Sequence, residues 1–302
     1  MIQHHNNPVR HHHVPKVYLN NFVDKQGKVT VWDKRKSRLF HSSVSGIAVE
    51  NDFYTLDKSL DPYAGERTYA TGIEPLMGRL FRRINTQANM LTKNGSRILS
   101  AQDKRLLAEI MIVQLLRGKQ SRKFQEKVFK EQLSNVIAKA ERRFHGFTPD
   151  QRKEVARFQS DNYYFKNTSN IVITNPQRVR TYSDLLAERD FVIYRLLGDR
   201  EFLTSDNPVM FINMVTGDAT PFASGLLDTD TIIYYPLTPK LLVSASAKGT
   251  FAGVMTCKDQ CLIDIDSHSE EAFITNINAL QLTQCHSQIY ARSRGPIEQI
   301  TI

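Results

Sequence analysis

Residues 11–22 read HHHVPKVYLNNF, and this stretch decides how the N-terminal part of the chain folds. Three consecutive histidines run without a linker into an apolar segment that must lie inside the protein. A buried histidine needs partners for both ring nitrogens, and its pKa lies close enough to neutral pH for proton transfer. The stretch therefore predicts both a core segment and a candidate site.

The proline at position 15 constrains the backbone just before it. Pro15 favours an extended conformation in the preceding residue, so His13 and Val14 are predicted to lie in a strand-like segment. Side chains alternate between the two faces of such a segment, which places His12 opposite His11 and His13. One or two of these three histidines are expected to reach a pocket.

The histidines near the N-terminus have two simpler interpretations. An expression tag is rejected, because residues 6–10 interrupt the histidines and the run continues directly into Val14 and Pro15. A solvated chain end is the other interpretation, and it applies to His4 and His5 more than to His12 and His13.

Size and composition indicate a globular protein. The chain has 302 residues, of which 41% are hydrophobic and 24% are charged. An apolar run of about 18 residues and the apolar core of a secretion signal are both missing, so a cytoplasmic protein without a membrane span is expected. Three cysteines cannot all pair, which favours a reducing compartment.

The distribution of positive charge predicts an anionic partner. The formal net charge is +9, and the basic residues crowd into residues 25–38 and 117–157. A regional excess of this kind suits contact with the backbone of a nucleic acid, or with a nucleotide. The alternative is that the charge only keeps the protein soluble. The oligomeric state stays open.

Hydrophobic periodicity predicts an α+β fold in one domain over residues 1–302. Residues 1–60 form a β region, in which residues 28–33 fold back on residues 17–22 as a hairpin through the turn at 24–27. Residues 68–170 form a central helical region of about four helices. Residues 188–302 are β-rich, with an antiparallel sheet and one late helix that opens near Ser269.

Several polar residues occupy positions where the surrounding pattern predicts burial. Gln114 and Arg117 recur at helical spacing on a face whose other members are core residues. They either line a pocket, where Arg117 would bind an anion, or Arg117 reaches solvent at the end of the helix. Glu74 lies at a predicted helix start, next to Pro75, where a carboxylate could simply act as a cap.

Two further polar groups lie between apolar segments. Glu50 follows an apolar run and needs a donor, a metal or water if it is buried. Ser205, Asp206 and Asn207 lie between two predicted strands, a place where many sites carry their functional groups. The alternative for both segments is a turn in which the side chains bond to their own backbone.

The absence of several known motifs argues against the reaction classes that depend on them. The sequence has no phosphate-binding loop, no dinucleotide fingerprint and no nucleophile elbow. Cys257 and Cys261 together with Cys285 and His286 provide four potential zinc ligands, but their spacing argues against a structural zinc site.

The remaining residues suggest hydrolysis of a phosphodiester, most plausibly by a nuclease. A histidine transfers the proton, Arg117 holds the phosphate, and carboxylates orient the imidazole or hold a divalent ion such as Mg²⁺ or Mn²⁺. The candidate catalytic residues are His12, His13, Glu50 and Asp206, and the candidate substrate-binding residues are Glu74, Gln114, Arg117, Ser205 and Asn207. The alternatives are a non-catalytic nucleic-acid- or nucleotide-binding protein, and an interaction protein whose polar cluster only ties the hairpin to the later strands.

The same residues carry a resemblance to a known family. The resembling stretches are residues 12–22, 49–54, 73–74, 114–117 and 202–209. In this order they resemble the uncharacterised bacterial family named domain of unknown function 4238, over nearly the whole chain. The resemblance implies that these positions form the site, and it implies no particular reaction.

Overall fold

The structure is a computed structural model that describes residues 9–55, 61–160, 170–171, 175–220, 225–250, 258–266 and 269–301. Its strands are β1 (Arg10–His12), β2 (Lys28–Asp33), β3 (Arg38–Ser43), β4 (Val49–Asn51), β5 (Asp190–Leu197), β6 (Thr204–Ser205), β7 (Met210–Asn213), β8 (Thr231–Thr238), β9 (Leu241–Ser246), β10 (Cys261–Asp266) and β11 (Gln288–Ala291). Its helices are α1 (Lys16–Leu19), α2 (Ala64–Arg67), α3 (Glu74–Met90), α4 (Ala101–Arg117), α5 (Lys119–Arg143), α6 (Pro149–Ser160), α7 (Pro176–Ala187), α8 (Glu271–Gln284) and α9 (Gly295–Thr301). The predicted α+β class is confirmed.

A five-stranded sheet in the order β10-β5-β9-β8-β7 forms the C-terminal half. Four of its strands pair antiparallel, as predicted, whereas β10 pairs parallel to β5. The parallel pair arises because the chain leaves β9 and returns on the far side of β5, so β10 runs in the direction of β5.

The five-stranded sheet has an apolar residue on nearly every position because both of its faces are covered. Phe191 and Ile193 of β5 face the main core, which also contains residues of α3 and α4. Val192 and Tyr194 face a second core against Ile277 of α8. This period of two is the alternation that a strand imposes on its side chains.

A four-stranded sheet in the order β3-β2-β11-β6 joins the two ends of the chain. The hairpin at the N-terminus is formed by β2 and β3, and the prediction that residues 17–22 would pair with β2 was wrong. Lys16–Leu19 form α1 instead, followed by a 3₁₀ turn at Asn20–Phe22. The buried Phe22 lies four positions after the buried Tyr18 and three after the buried Leu19, which is the spacing of a helix face.

The helical region begins earlier than its sequence pattern indicates. The chain is helical from Ala64, and Thr68–Ile73 form a π-helical segment before α3 begins at Glu74. Pro75 has no N–H and would disturb a regular helix, and the wider π turn lies directly before it. Glu74 is therefore inside a continuous helical run, where it caps no free helix end.

The next two helices are separated by a single residue. Ser100 followed by Asp103 three residues later predicts a capping box, and Gly118 to Ser121 predict a break or a bend in the chain. The capping box opens α4, and Gly118 in an extended conformation ends it. The start signal at residues 148–151 predicts a fourth helix that runs to about Tyr164, an end that lies outside the described residues, and α9 follows β11 without having been predicted. In the ranges that the structure describes, no helix is both long and apolar enough to cross a membrane.

Candidate functional site

One end of the four-stranded sheet brings together residues that are far apart in the sequence. The register pairs Asp33 of β2 with Gln288 of β11, and Ser205 of β6 with Ile289. Because β11 lies between the other two strands and runs antiparallel to both, the residues that follow β2 and β6 meet the residues that precede β11. Arg35, Asp206 and His286 occupy these three positions.

Asp206 fixes the chain segment that carries His286. Its carboxylate accepts hydrogen bonds from the backbone N–H groups of His286 (2.7 Å), Ser287 (2.8 Å) and Gln288 (3.0 Å), and from the Ser287 hydroxyl (2.8 Å). The side chain is buried. Burial raises the pKa of Asp206, and the four hydrogen bonds oppose this shift.

The N-terminal stretch closes against the same sheet. The Tyr18 hydroxyl lies 2.6 Å from Oγ1 of Thr204 and donates to the carbonyl of Pro236 at 2.7 Å. Just before it, the histidines alternate as predicted, with His11 and His13 buried and His12 partly exposed. Tyr18 of the N-terminal stretch is therefore in direct contact with Thr204 of β6.

The rings of the two buried histidines, His11 and His13, contact different groups. Nδ1 of His11 accepts the Tyr54 backbone N–H at 2.9 Å, so this nitrogen carries no proton, and the ring stacks on Tyr54. His13 packs against Phe53 at 5.8 Å between ring centroids. Nδ1 of His13 and Oε1 of Gln114 are buried polar atoms without a partner among the described residues. Unpaired buried atoms of this kind are uncommon and are typical of functional sites.

Arg117 is enclosed by protein groups on every side. Its guanidinium donates to Glu74 Oε1 (3.0 Å), to the carbonyl of His12 (2.6 Å) and to the Tyr54 hydroxyl (3.3 Å). The group also lies 4.6 Å from the centroid of the Tyr69 ring. Since its relative exposure is 0%, an external phosphate would have to displace one of these partners.

A second carboxylate stands near Arg117. Burial raises the pKa of Glu66 to about 7, Arg117 opposes this shift, and Glu74 adds to it. Gln114, the other polar residue on this face of α4, donates through Nε2 to the carbonyl of His13 at 3.2 Å. Gln114 and Arg117, on the polar face of α4, therefore both bind backbone carbonyls of the histidine segment.

His286 is the histidine that positive charge surrounds. Burial lowers its pKa to about 4, and the charges of Lys123, Arg35 and Lys119 add to the shift. Arg35 donates a hydrogen bond to His286 Nε2, so the ring presents a lone pair there. Burial also lowers the pKa of His13 well below its ordinary value, with Lys119, Arg117 and His286 adding to this effect.

The other predicted site residues lie around this group. Glu50 is exposed in the middle of β4 and forms an ion pair with Lys119 at 2.8 Å. Ser205 accepts the backbone N–H of Asn207 at 3.0 Å, and Asn207 donates to the carbonyl of Gln284 at 3.0 Å. The turn that was the alternative interpretation of residues 205–207 is therefore present in the structure.

The structure thus divides the predicted residues into two groups. Glu74, Gln114 and Arg117 form a buried support behind the histidine segment, with all three guanidinium nitrogens of Arg117 bonded. Asp206 accepts a hydrogen bond from the backbone N–H of His286, the charge of Glu50 raises the pKa of His286, and the charge of His286 lowers the pKa of His13. Sequence reasoning assigned His286 only to an improbable zinc site. The crowding of basic residues at 25–38 and 117–157 was the signal that pointed to Arg35, Lys119 and Lys123.

A metal site would need several ligating side chains close together. Within the described ranges, no group of three or more histidine, cysteine, aspartate or glutamate side chains could hold a metal ion. Cys261 and Cys285 are buried and free, and Cys257 and the histidines at positions 4 and 5 lie outside the described residues.

The lowered pKa values of His12 and His286 predict how the free energy of unfolding depends on pH. Burial lowers the pKa of His12 to about 4, as it does for His286, whereas the unfolded chain titrates at the ordinary value of 6.5. Between these values the unfolded state binds more protons, so the free energy of unfolding falls as pH drops from 6.5 towards 4. We expect urea titrations at several pH values to show this slope, and the His286→Asn variant to flatten it.

A histidine outside the site provides the control for the pH experiment. His145 is exposed and has a φ of 56°, a conformation that asparagine tolerates. The His145→Asn variant should keep the slope of the wild type. An equal slope in the wild type and in the His286→Asn variant would contradict the assignment of a lowered pKa to His286.

Comparison with known proteins adds the family. The family model described as Protein of unknown function (DUF4238) matches residues 10–295, which includes every candidate site residue named above. No curated protein and no solved structure matches the chain. Because the family model covers nearly the whole chain, the protein belongs to the DUF4238 family.

Proposed function

We propose that the protein is a hydrolase acting on phosphodiester bonds, most plausibly a nuclease, and that His286 is its proton-transfer group. The observation that supports this proposal is the hydrogen bond from Arg35 to His286 Nε2, together with the charges of Lys119 and Lys123, which lower the pKa of this histidine. A neutral imidazole among three cations is suited to remove a proton beside a bound phosphate.

The proposal assigns the phosphate to different residues from those that the sequence suggested. Arg117 is bonded to protein on all three nitrogens, whereas Arg35 and Lys123 lie at the surface beside His286. Phosphate oxygens would attract Arg35 away from His286 Nε2 and expose its lone pair. The same negative charge would cancel the effect of the cations and move the pKa of His286 towards neutrality.

The reaction that fits this arrangement is attack by water. His286 Nε2 takes a proton from water, the water oxygen forms a bond to phosphorus, and the bond from phosphorus to the leaving oxygen breaks. The leaving oxygen takes up a proton from solvent and the protonated His286 releases one to solvent, so one diester and one water molecule give a phosphomonoester and an alcohol. Lys119 and Lys123 would stabilise the negative charge that develops on the phosphate oxygens.

The other residues would act through position. Asp206 orients His286 through the backbone, and Gln114 and Arg117 bind the backbone carbonyls of His13 and His12. Glu50, paired with Lys119, is a carboxylate at the edge of the site that a divalent ion could share with the phosphate. The dependence of activity on Mg²⁺ or Mn²⁺ is therefore part of the test.

Purified protein is incubated with RNA and with DNA, each with Mg²⁺, with Mn²⁺ and with a chelator. We expect cleavage in at least one condition, and a loss of about 10²- to 10⁴-fold in the His286→Ala variant. The His145→Asn variant should remain as active as the wild type. Urea titration of His286→Ala separates a lost reaction from a lost fold.

Two results would contradict this proposal. Intact substrates under every condition would exclude the hydrolase, and if salt-sensitive binding remained, the non-catalytic nucleic-acid-binding alternative would take its place. Full activity in the His286→Ala variant would show that another group transfers the proton.

A further inference from the structure

The first half of α5 carries a row of lysines on one face. Lys119, Lys123, Lys127 and Lys130 are spaced by four, four and three residues, which places them within an arc of about 80° on a helix of 3.6 residues per turn. We call these four residues the lysine track. At 1.5 Å per residue the track is about 16 Å long.

The lysine track begins at the candidate site and leads away from it. A Cβ atom at Gly118, the residue before α5, would lie 3.9 Å from Oδ1 of Asn207, so α5 begins beside the loop that carries Asp206. Lys119 forms an ion pair with Glu50, and the charges of Lys119 and Lys123 lower the pKa of His286. Lys127, one turn further, is 74% exposed, and its nearest acid, Glu131, lies 3.9 Å away. Lys123, Lys127 and Lys130 are exposed and Lys119, paired with Glu50, is partly exposed, so the track faces solvent from Lys123 onward.

The charge of α5 favours an anionic polymer as the partner of this face. The helix has eight lysine and arginine residues against three glutamates. Glu126 lies beside the track and pairs with Arg122 at 3.9 Å, on the edge of the face. Lysines repeated along a line complement phosphates repeated along a strand, whereas one mononucleotide would use only the residues next to His286.

We infer that a nucleic-acid strand lies along the lysine track with its scissile phosphate at His286, so that the substrate is a polynucleotide and not a mononucleotide. This inference rests on the proposed function for the site. The track corresponds in length to about five base steps at 3.4 Å per step. Lys127 and Lys130 would contact phosphates that do not react.

The test measures binding of a labelled 12-nucleotide RNA and DNA by fluorescence anisotropy at several salt concentrations. The double variant Lys127→Ala, Lys130→Ala removes the far part of the track, and we expect it to reduce the salt slope of log K by about 1.4 to 1.8. The control is Lys139→Ala, Lys153→Ala, which removes the same charge away from the track. Lys139 lies on the opposite face of α5, and Lys153 lies on α6.

Cleavage assays separate the inference from the proposed function. The track variant should raise the KM for the oligonucleotide by about tenfold or more and leave hydrolysis of bis(4-nitrophenyl) phosphate unchanged, since this small diester reaches only the residues next to His286. Equal salt slopes in the track and control variants, or no oligonucleotide binding by the wild type, would overturn the inference. Cleavage with unchanged affinity in the track variant would overturn it while the hydrolase stands. If the salt slope of log K fell in the track variant but the wild type cleaved no substrate, the lysine track would be supported and the hydrolase would be rejected.

Discussion

Replacing Arg117 with methionine is expected to lower the free energy of unfolding by about 3 to 5 kcal/mol, the usual cost of removing one partner of a buried ion pair. The substitution leaves Glu74, the His12 carbonyl and the Tyr54 hydroxyl without their donor. Urea titration followed by circular dichroism measures the change. The Arg117→Lys variant keeps the charge but not the planar guanidinium group, so we expect it to lower the free energy of unfolding by less than Arg117→Met does.

Two comparisons show whether burial is the cause. Arg294 and Glu298 form an ion pair at 3.1 Å with exposed side chains, and Arg294→Met should cost less than about 1 kcal/mol. The double variant Arg117→Met, Glu74→Leu removes both charges, so it should recover part of the stability lost in Arg117→Met. A loss below about 1 kcal/mol in Arg117→Met would show that the cage around the guanidinium does not hold the fold together.

The second large effect is expected at Asp206. In an Asp206→Asn variant, one carboxylate oxygen becomes an NH₂ group, which faces the backbone N–H of His286 at the Oδ1 position or the donors of Ser287 and Gln288 at the Oδ2 position. Buried donors left without an acceptor cost about 1 to 3 kcal/mol, and hydrogen bonds to a charged group contribute about 1.5 to 3 kcal/mol. We expect a loss of about 3 kcal/mol, measured by urea titration.

Asp24 provides the matched control for Asp206. A single oxygen of Asp24, Oδ1, accepts the backbone N–H groups of Gln26 and Lys28. Asparagine can supply the same oxygen, so Asp24→Asn should change the stability by less than about 0.5 kcal/mol. An equal loss of unfolding free energy in Asp206→Asn and Asp24→Asn would show that the four hydrogen bonds of Asp206 stabilise the fold no more than the two of Asp24. A loss of cleavage in Asp206→Asn, larger than its loss of folded protein, would indicate that it positions His286.

The sequence alone predicted the elements whose signals are local. The alternating burial of His11, His12 and His13 follows from Pro15 and the period of a strand. The capping box at Ser100 and the break at Gly118 were also visible, because caps and breaks depend on residues within one turn. The family was evident from stretches spread along nearly the whole chain.

Local signals also misled in one place and were incomplete in another. Residues 17–22 looked like the partner of β2, but their apolar side chains have the spacing of a helix. Pro75 looked like the first turn of a helix, and only the structure shows that the chain is already helical ten residues earlier. Neither the period of a short segment nor one proline distinguishes these cases, because tertiary packing selects between conformations of similar local energy.

The sequence by itself therefore determined the α+β class, the family, the burial of the histidine segment and the excess of positive charge in two regions. Only the tertiary structure decided that Arg117 faces inward to Glu74, and that Arg35, Asp206 and His286 meet at one end of a sheet. The physical reason is that strand order is set by pairing between segments more than 80 residues apart. No local pattern records which strand will lie beside β11.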